Sequence, residues 1–255
     1  SISYVTLYLL SSFTQNISLL FKLFSFEFWL FLKLFTHSVT KASLSTLYLL
    51  NDNIEKLLDN VKAIIINQMS NVNGNLADIT TIGKFAKEKG IIFIVDASQS
   101  AGHIDIDVKR DCIDILVCAG HKGLFGPQGT GILYVRENIN LKTIVEGGTG
   151  SQSELLRQPE NLPDRFEVGT LNVPAIAGLA EGIKFLLNNK NIRNHEKLLS
   201  ARIVEELSSI PKVIVYKNKN KEENTGVISF NVKDIDCVTL SNHLSENYNI
   251  MIRSG

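Results

Sequence analysis

Cysteine is scarce in this chain: only Cys112, Cys118 and Cys237 occur among 255 residues. None is part of a CxxC pair or a Cys/His ligand spacing, so neither a disulfide framework nor a zinc site is expected, and a reducing compartment fits best. Charge of one sign is lacking too. Lysine plus arginine (26) offset aspartate plus glutamate (26), which leaves no basic field to hold a phosphate backbone and no acidic tail. Nucleic acid is therefore not an expected partner. Internal repeats are absent, and the one glycine-dense stretch contains GPQGTG (126–131), which is neither GxGxxG nor GxxxxGK[ST]. A dinucleotide or Walker-type phosphate site has no support in it.

Residues 1–50 differ in kind from the remainder of the chain. Ile17 to Phe35 reads ISLLFKLFSFEFWLFLKLF, long enough to span a bilayer, yet it carries Lys22, Glu27 and Lys33. Three charges so near the middle of a helix are costly in lipid, and no short apolar core with a small-residue cleavage site accompanies them. The expectation is an atypical apolar N-terminal segment on a cytoplasmic protein, with a membrane anchor through residues 17–35 as the alternative.

From about Asn53 the sequence becomes regular. Apolar runs alternate with amphipathic stretches at βαβ spacing, which predicts an α/β fold with a mostly parallel sheet. Helices are expected over 53–60, 77–89, 174–187, 195–207 and 236–246, and strands over 63–66, 91–95, 114–118, 131–135, 213–216 and 226–232. The run Ile91 to Val95 (IIFIV) is β-branched and aromatic throughout, so both of its faces should be covered. The polar stretch 188–194 (NNKNIRN) marks a boundary. A large domain is thus expected over 51–190 and a smaller α+β domain over 191–255.

Two strands deliver polar residues at their C-terminal ends, where open α/β sheets bind ligands. Asp96 ends IIFIV and either caps the turn DASQSAG or faces a cation, since an isolated charge there is costly. Lys122 comes after the next strong strand in Ala119-Gly120-His121-Lys122. A lysine desolvated in a sheet crevice becomes nucleophilic toward a carbonyl. Pyridoxal phosphate (PLP) chemistry needs such a lysine together with an acid that keeps the pyridine nitrogen protonated. Singly, Lys122 would read as a solvated lysine and His121 as a structural histidine.

The runs VDASQSAG (95–102), AGHKGLFGPQGTG (119–131), EGGTGS (146–151), LPDRFEVGTLNVPAIAGL (162–179) and the terminal IRSG together resemble the cysteine desulfurases and selenocysteine lyases, class V aminotransferases of PLP fold type I. The resemblance covers roughly residues 51–255. It implies Lys122 as the Schiff-base lysine that also shuttles the substrate's α-proton, Asp96 on the pyridine nitrogen, Gln99 on the phenolic oxygen and His121 on the phosphate. Asn71, in SNVNG, resembles the asparagine near substrate and ring, and Arg253 the arginine that binds the substrate carboxylate. Thr149 resembles the residue that reaches the neighbouring subunit's phosphate, which implies a homodimer. No metal is implied.

The same resemblance marks departures. Ala119 stands where many relatives have a phosphate-binding serine, and Gln68 where they often have histidine. Relatives carry a catalytic cysteine a few residues beyond the arginine and a glycine-threonine phosphate loop before the Asn71 motif; neither is in this sequence, and the chain is expected to be incomplete at both ends. The implied function is conversion of L-cysteine to L-alanine, with sulfur passed to an enzyme thiol and from there to a possible acceptor protein. A selenocysteine lyase, another class V enzyme or a catalytically inactive fragment are the alternatives.

Overall fold

The computed structural model describes residues 7–11, 61–148, 150–152, 154–216 and 225–254. They divide into two compact units: one takes in the described residues up to Gln68 together with Ala77–Asn189, the other Met69–Leu76 together with the described residues from Lys190 onward. The apolar run 17–35 and the expected helix over 53–60 lie outside the described residues.

The first unit is built on a five-stranded sheet in the order β1 (Leu7–Ser11), β2 (Val61–Asn67), β3 (Ile92–Asp96), β4 (Ile115–Ala119) and β5 (Gly131–Val135). The three central strands run parallel, with Asn67 opposite Asp96 and Asp96 opposite Val117. The outer strands run antiparallel to their neighbours. Successive side chains of a strand point to opposite faces, and here both faces are apolar. Ile64, Ile66, Phe93 and Val95 join Ile79, Ile82 and Ala86 of α1 (Ile79–Glu88) and Leu179 of α2 (Val173–Asn188) in one cluster. Ile65, Ile94 and Ile115 pack with Leu141, Leu133, Val135 and Phe166 on the other face. This two-sided burial is what the unbroken apolar run of β3 predicts.

Local sequence sets the helix ends. Asp78 caps α1 by accepting from the Thr81 amide (3.0 Å), and Gly90, at φ +66°, lets the chain leave it. Asn172 caps α2 through the Ala175 amide (3.2 Å), just ahead of Pro174 in the first turn.

The second unit carries α3 (Ile192–Ser209), the antiparallel pair β6 (Val213–Tyr216) and β7 (Ser229–Val232), and α4 (Cys237–Tyr248). Residues 250–254 form irregular chain. Asn249 ends α4 in the left-handed conformation, φ 53°.

Candidate active site

Because β2, β3 and β4 are parallel, their C-terminal ends share one edge of the sheet, the edge at which such sheets hold ligands. Gln68 comes directly after β2, Asp96 ends β3, and β4 leads into the loop 120–130. That loop stays at the edge because β5 returns antiparallel, with Gly131 opposite Ala119. It is closed by the Gly120 amide on Thr130 O and the Gly126 amide on Gly120 O (both 2.8 Å). Helix α2 braces it from outside: Leu179 lies against Gly126, and Gly182 against the carbonyl of Leu124.

Asp96 is half-buried. Its Oδ1 accepts from the Ser98 amide at 2.8 Å, the turn-capping bond that its position after a strand predicts. The cap engages one oxygen, and none of the ion pairs among the described residues involves this carboxylate. A half-buried carboxylate with a second oxygen to offer is suited to a protonated nitrogen of a ligand. Its charge is already felt nearby. Burial, with Asp96 adding to it against a backbone hydrogen bond from Ile132, pushes the Cys118 thiol up to about 11.

The turn after Asp96 is pinned at several points. The Ala97 amide donates to Val117 O (2.8 Å), and the Ser100 and Ala101 amides return to Ala97 O (3.1 and 2.8 Å). Gln99 is part-buried within this turn. Beyond it, Gly102 adopts φ +89°, and a Cβ there would stand 2.1 Å from Gly123 O. A Cβ on Gly123 would in turn stand 2.3 Å from Ala101 O and 2.5 Å from the His103 ring. Only two glycines permit so close an approach, and it locks the turn bearing Gln99 against the turn bearing His121 and Lys122. Sequence reasoning misses this contact, because nothing in the spacing of Gly102 and Gly123 shows that the two turns meet. The signal that could reveal it is Gly102, which closes the turn Ser100-Ala101-Gly102 shortly after β3.

Asp96, Gln99, His121 and Lys122 therefore belong to one rigid edge of the first unit. Lys122 and His121 are exposed rather than held in a closed crevice, so desolvation of the lysine, expected from its place after a strand, does not arise from the described residues. Asn71 and Arg253 belong to the second unit, and both are exposed. Asn71 sits in the turn 70–74, which the Gly74 amide closes on Ser70 O (3.0 Å). The carbonyl before Arg253, that of Ile252, accepts from Ser241 Oγ at 3.0 Å. Thr149 lies outside the described residues. Among the described residues no cluster of histidine, cysteine and carboxylate side chains is placed to hold a metal, and no helix is long and apolar enough to cross a membrane.

The comparisons with known proteins agree on one family. Residues 31–255 match the family model of aminotransferase class-V, a span that begins some twenty residues before the motif-based resemblance does. A probable cysteine desulfurase from Pyrococcus abyssi is 36% identical over 210 residues, covering 79% of this chain and 51% of that protein. One from Borreliella burgdorferi is 36% identical over 216 residues, covering 80% and 50%. Among solved structures, the apo cysteine desulfurase of Thermococcus onnurineus superposes with a TM-score of 0.70 at 34% identity, over 79% of this chain and 51% of that one. The Escherichia coli cysteine desulfurase CsdA gives 0.72 at 24% identity over the same shares, a likeness of fold. The chain thus spans about half the length of the relatives it matches. With the mixed, mainly parallel sheet of PLP-dependent fold type I and a family match over most of its length, the chain belongs to the class-V aminotransferases.

Proposed function

We propose that this chain carries the cofactor-binding half of a PLP-dependent, cysteine desulfurase-like enzyme. The observation that carries the reading is the Asp96 carboxylate, capped through one oxygen only among the described hydrogen bonds, on the same strand-end edge as Lys122 and locked to its turn through Gly102 and Gly123. The residues present fit PLP: an acid for its ring nitrogen, a lysine for its aldehyde, and polar side chains on both turns. When bound, PLP supplies an electron sink for charge developing at the substrate's Cα.

The protein's own groups divide the rest of the work. Lys122 Nζ would hold the cofactor and would carry the substrate's α-proton. Asp96 would accept the ring N–H and keep that proton in place. Gln99 would bond the phenolic oxygen, and His121 the phosphate. Asn71 and Arg253 would orient the substrate, the guanidinium giving a bidentate contact to its carboxylate. The names of the relatives support cysteine as the substrate that loses its sulfur; alanine as product and a thiol as first sulfur acceptor rest on the resemblance of the sequence motifs. Cys118 is a poor choice for that thiol, since burial holds its proton far above neutral pH. The resemblance of the 146–151 segment, with Thr149, supports a homodimer that shares its cofactor sites.

Borohydride reduction after incubation with PLP tests the reading. Peptide mass spectrometry should find the pyridoxyl group on Lys122, and Lys122→Ala should abolish the labelling. Label on another lysine would refute the assignment.

A further inference from the structure

Gln68 is buried (4% exposed), immediately beyond β2, and it is bonded in three directions. Its amide donates to Asp96 O at 3.0 Å, its carbonyl accepts from the Ala77 amide at 2.8 Å, and its side-chain Oε1 accepts from Ser100 Oγ at 2.5 Å. Ser100 is itself wholly buried, with a second, longer contact from its hydroxyl to Ala97 O (3.4 Å). One glutamine thus grips both ends of the turn that runs from Asp96 to Ser100. Gln99, part-buried between them, contributes no tether of its own among the described hydrogen bonds.

We propose that Gln68 is a positioning residue, which through Ser100 sets where the Asp96 carboxylate and the Gln99 amide stand relative to a bound cofactor. This rests on the PLP reading of the same edge. The physical argument is one of direction. Backbone bonds fix the turn to β4 through Ala97 and fix its Asp96 end to β2 through the Gln68 amide, and the glycine contact holds it against the Lys122 turn, but no other described hydrogen bond ties its Ser100 end sideways to β2. A buried side-chain pair supplies that tether and, being shielded from water, tolerates little drift. An apolar side chain of the same size at residue 68 would fill the space without specifying the turn.

The test uses Gln68→Met, Ser100→Ala and the double substitution, each with PLP alone. Ser100→Ala leaves Gln68 Oε1 without its donor and Gln68→Met leaves the Ser100 hydroxyl only its longer contact to Ala97 O, whereas the double change removes both partners and should return Tm close to that of the parent. Positioning predicts that the double variant, though stable, still binds PLP about tenfold more weakly, as expected for loss of about one oriented contact. It also predicts a displaced pH midpoint for the visible band of lysine-bound cofactor. A stable double variant with parental affinity and midpoint would overturn the proposal, leaving the pair a packing feature. Absence of any Lys122 adduct in the unsubstituted protein would instead remove the PLP reading, and this inference with it.

Discussion

The two units are held by different kinds of interaction. In the first, the sheet is buried on both sides; Ile66, Phe93, Val95 and Ile115 have no exposed surface at all. In the second, the described residues of α3, α4 and the β6–β7 pair bury little apolar surface, and Leu198, Leu199, Ile203, Ile214 and Val238 are each close to half exposed or more. Its specific ties are polar: Ser200 Oγ donates to Thr225 O (2.8 Å), Thr225 Oγ1 to Gly74 O (3.2 Å), and Ser229 Oγ to Val72 O. Cofactor chemistry needs groups fixed to fractions of an ångström. The proposed cofactor residues Asp96, Gln99, His121 and Lys122 lie on the unit with the dense core, whereas Asn71, proposed near both substrate and ring, and Arg253, proposed for the substrate carboxylate, belong to the other.

The sharpest way to break this contrast is to truncate one apolar side chain in each unit. Phe93→Ala should cost about 3–5 kcal/mol, because the ring is fully enclosed and its neighbours in the sheet cannot collapse onto the void. Ile203→Ala, at a position 46% exposed, should cost no more than about 0.5 kcal/mol. Urea denaturation of the two variants measures both. Equal costs would mean that the second unit is as tightly packed around Ile203 as the first is around Phe93.

A middle-sized effect sharpens the contrast by pH. Asp111 is wholly buried against α1: it receives Arg110 Nε and Nη2 (both 2.9 Å), Thr80 Oγ1 (2.6 Å) and the Asp107 amide (3.0 Å). Burial alone would raise its carboxyl; these donors outweigh it and hold the group down to about 2. The folded value lies below the unfolded one, so the stabilisation is fully present above about pH 4 and is lost as pH falls through about 2. That difference amounts to about 2 kcal/mol. Asp111→Asn should lower stability by about that much at pH 7, and the gap to the parent should close toward pH 2. A gap independent of pH would show that packing, not charge, holds the residue.

Much of the first unit was legible because its signals are local. The β-branched run of β3 and the helix expected over 77–89, found as α1, each arise from neighbouring residues, and the strand expected over 131–135 is β5. Asp96 and Lys122 were legible through strand ends that the topology brings to one edge. Contact across the chain was concealed: Gln68 with Ser100, 32 positions apart, and Gly102 with Gly123. Nor does the sequence reveal that the 69–76 segment groups with residues from 190 onward, since that rests on hydrogen bonds spanning about 150 positions. The exposure of Lys122 was likewise invisible, because a strand-end position specifies direction without specifying what covers it.

The smallest of the expected effects tests whether polar ties do organise the second unit. Ser200 is the one buried residue described on α3, and its hydroxyl donates to a carbonyl on the segment leading into β7. The next link, Thr225 Oγ1 on Gly74 O, extends the tie to the turn that carries Asn71. Ser200→Ala removes the first donor and leaves the Thr225 carbonyl buried without it, at a cost of about 1 kcal/mol. The loss should be local. Amide exchange should quicken over 225–232 and 70–75, while α1 and β3 in the first unit keep their protection, because no atom of their core is touched. If exchange instead quickened equally in both units, stability would be shared across the whole chain, and the contrast between an apolar first unit and a polar-tied second one would not hold. If it quickened in neither, the tie from Ser200 to Thr225 would carry none of the second unit's order, and Asn71 would owe its placement to the turn bonds around Ser70 alone.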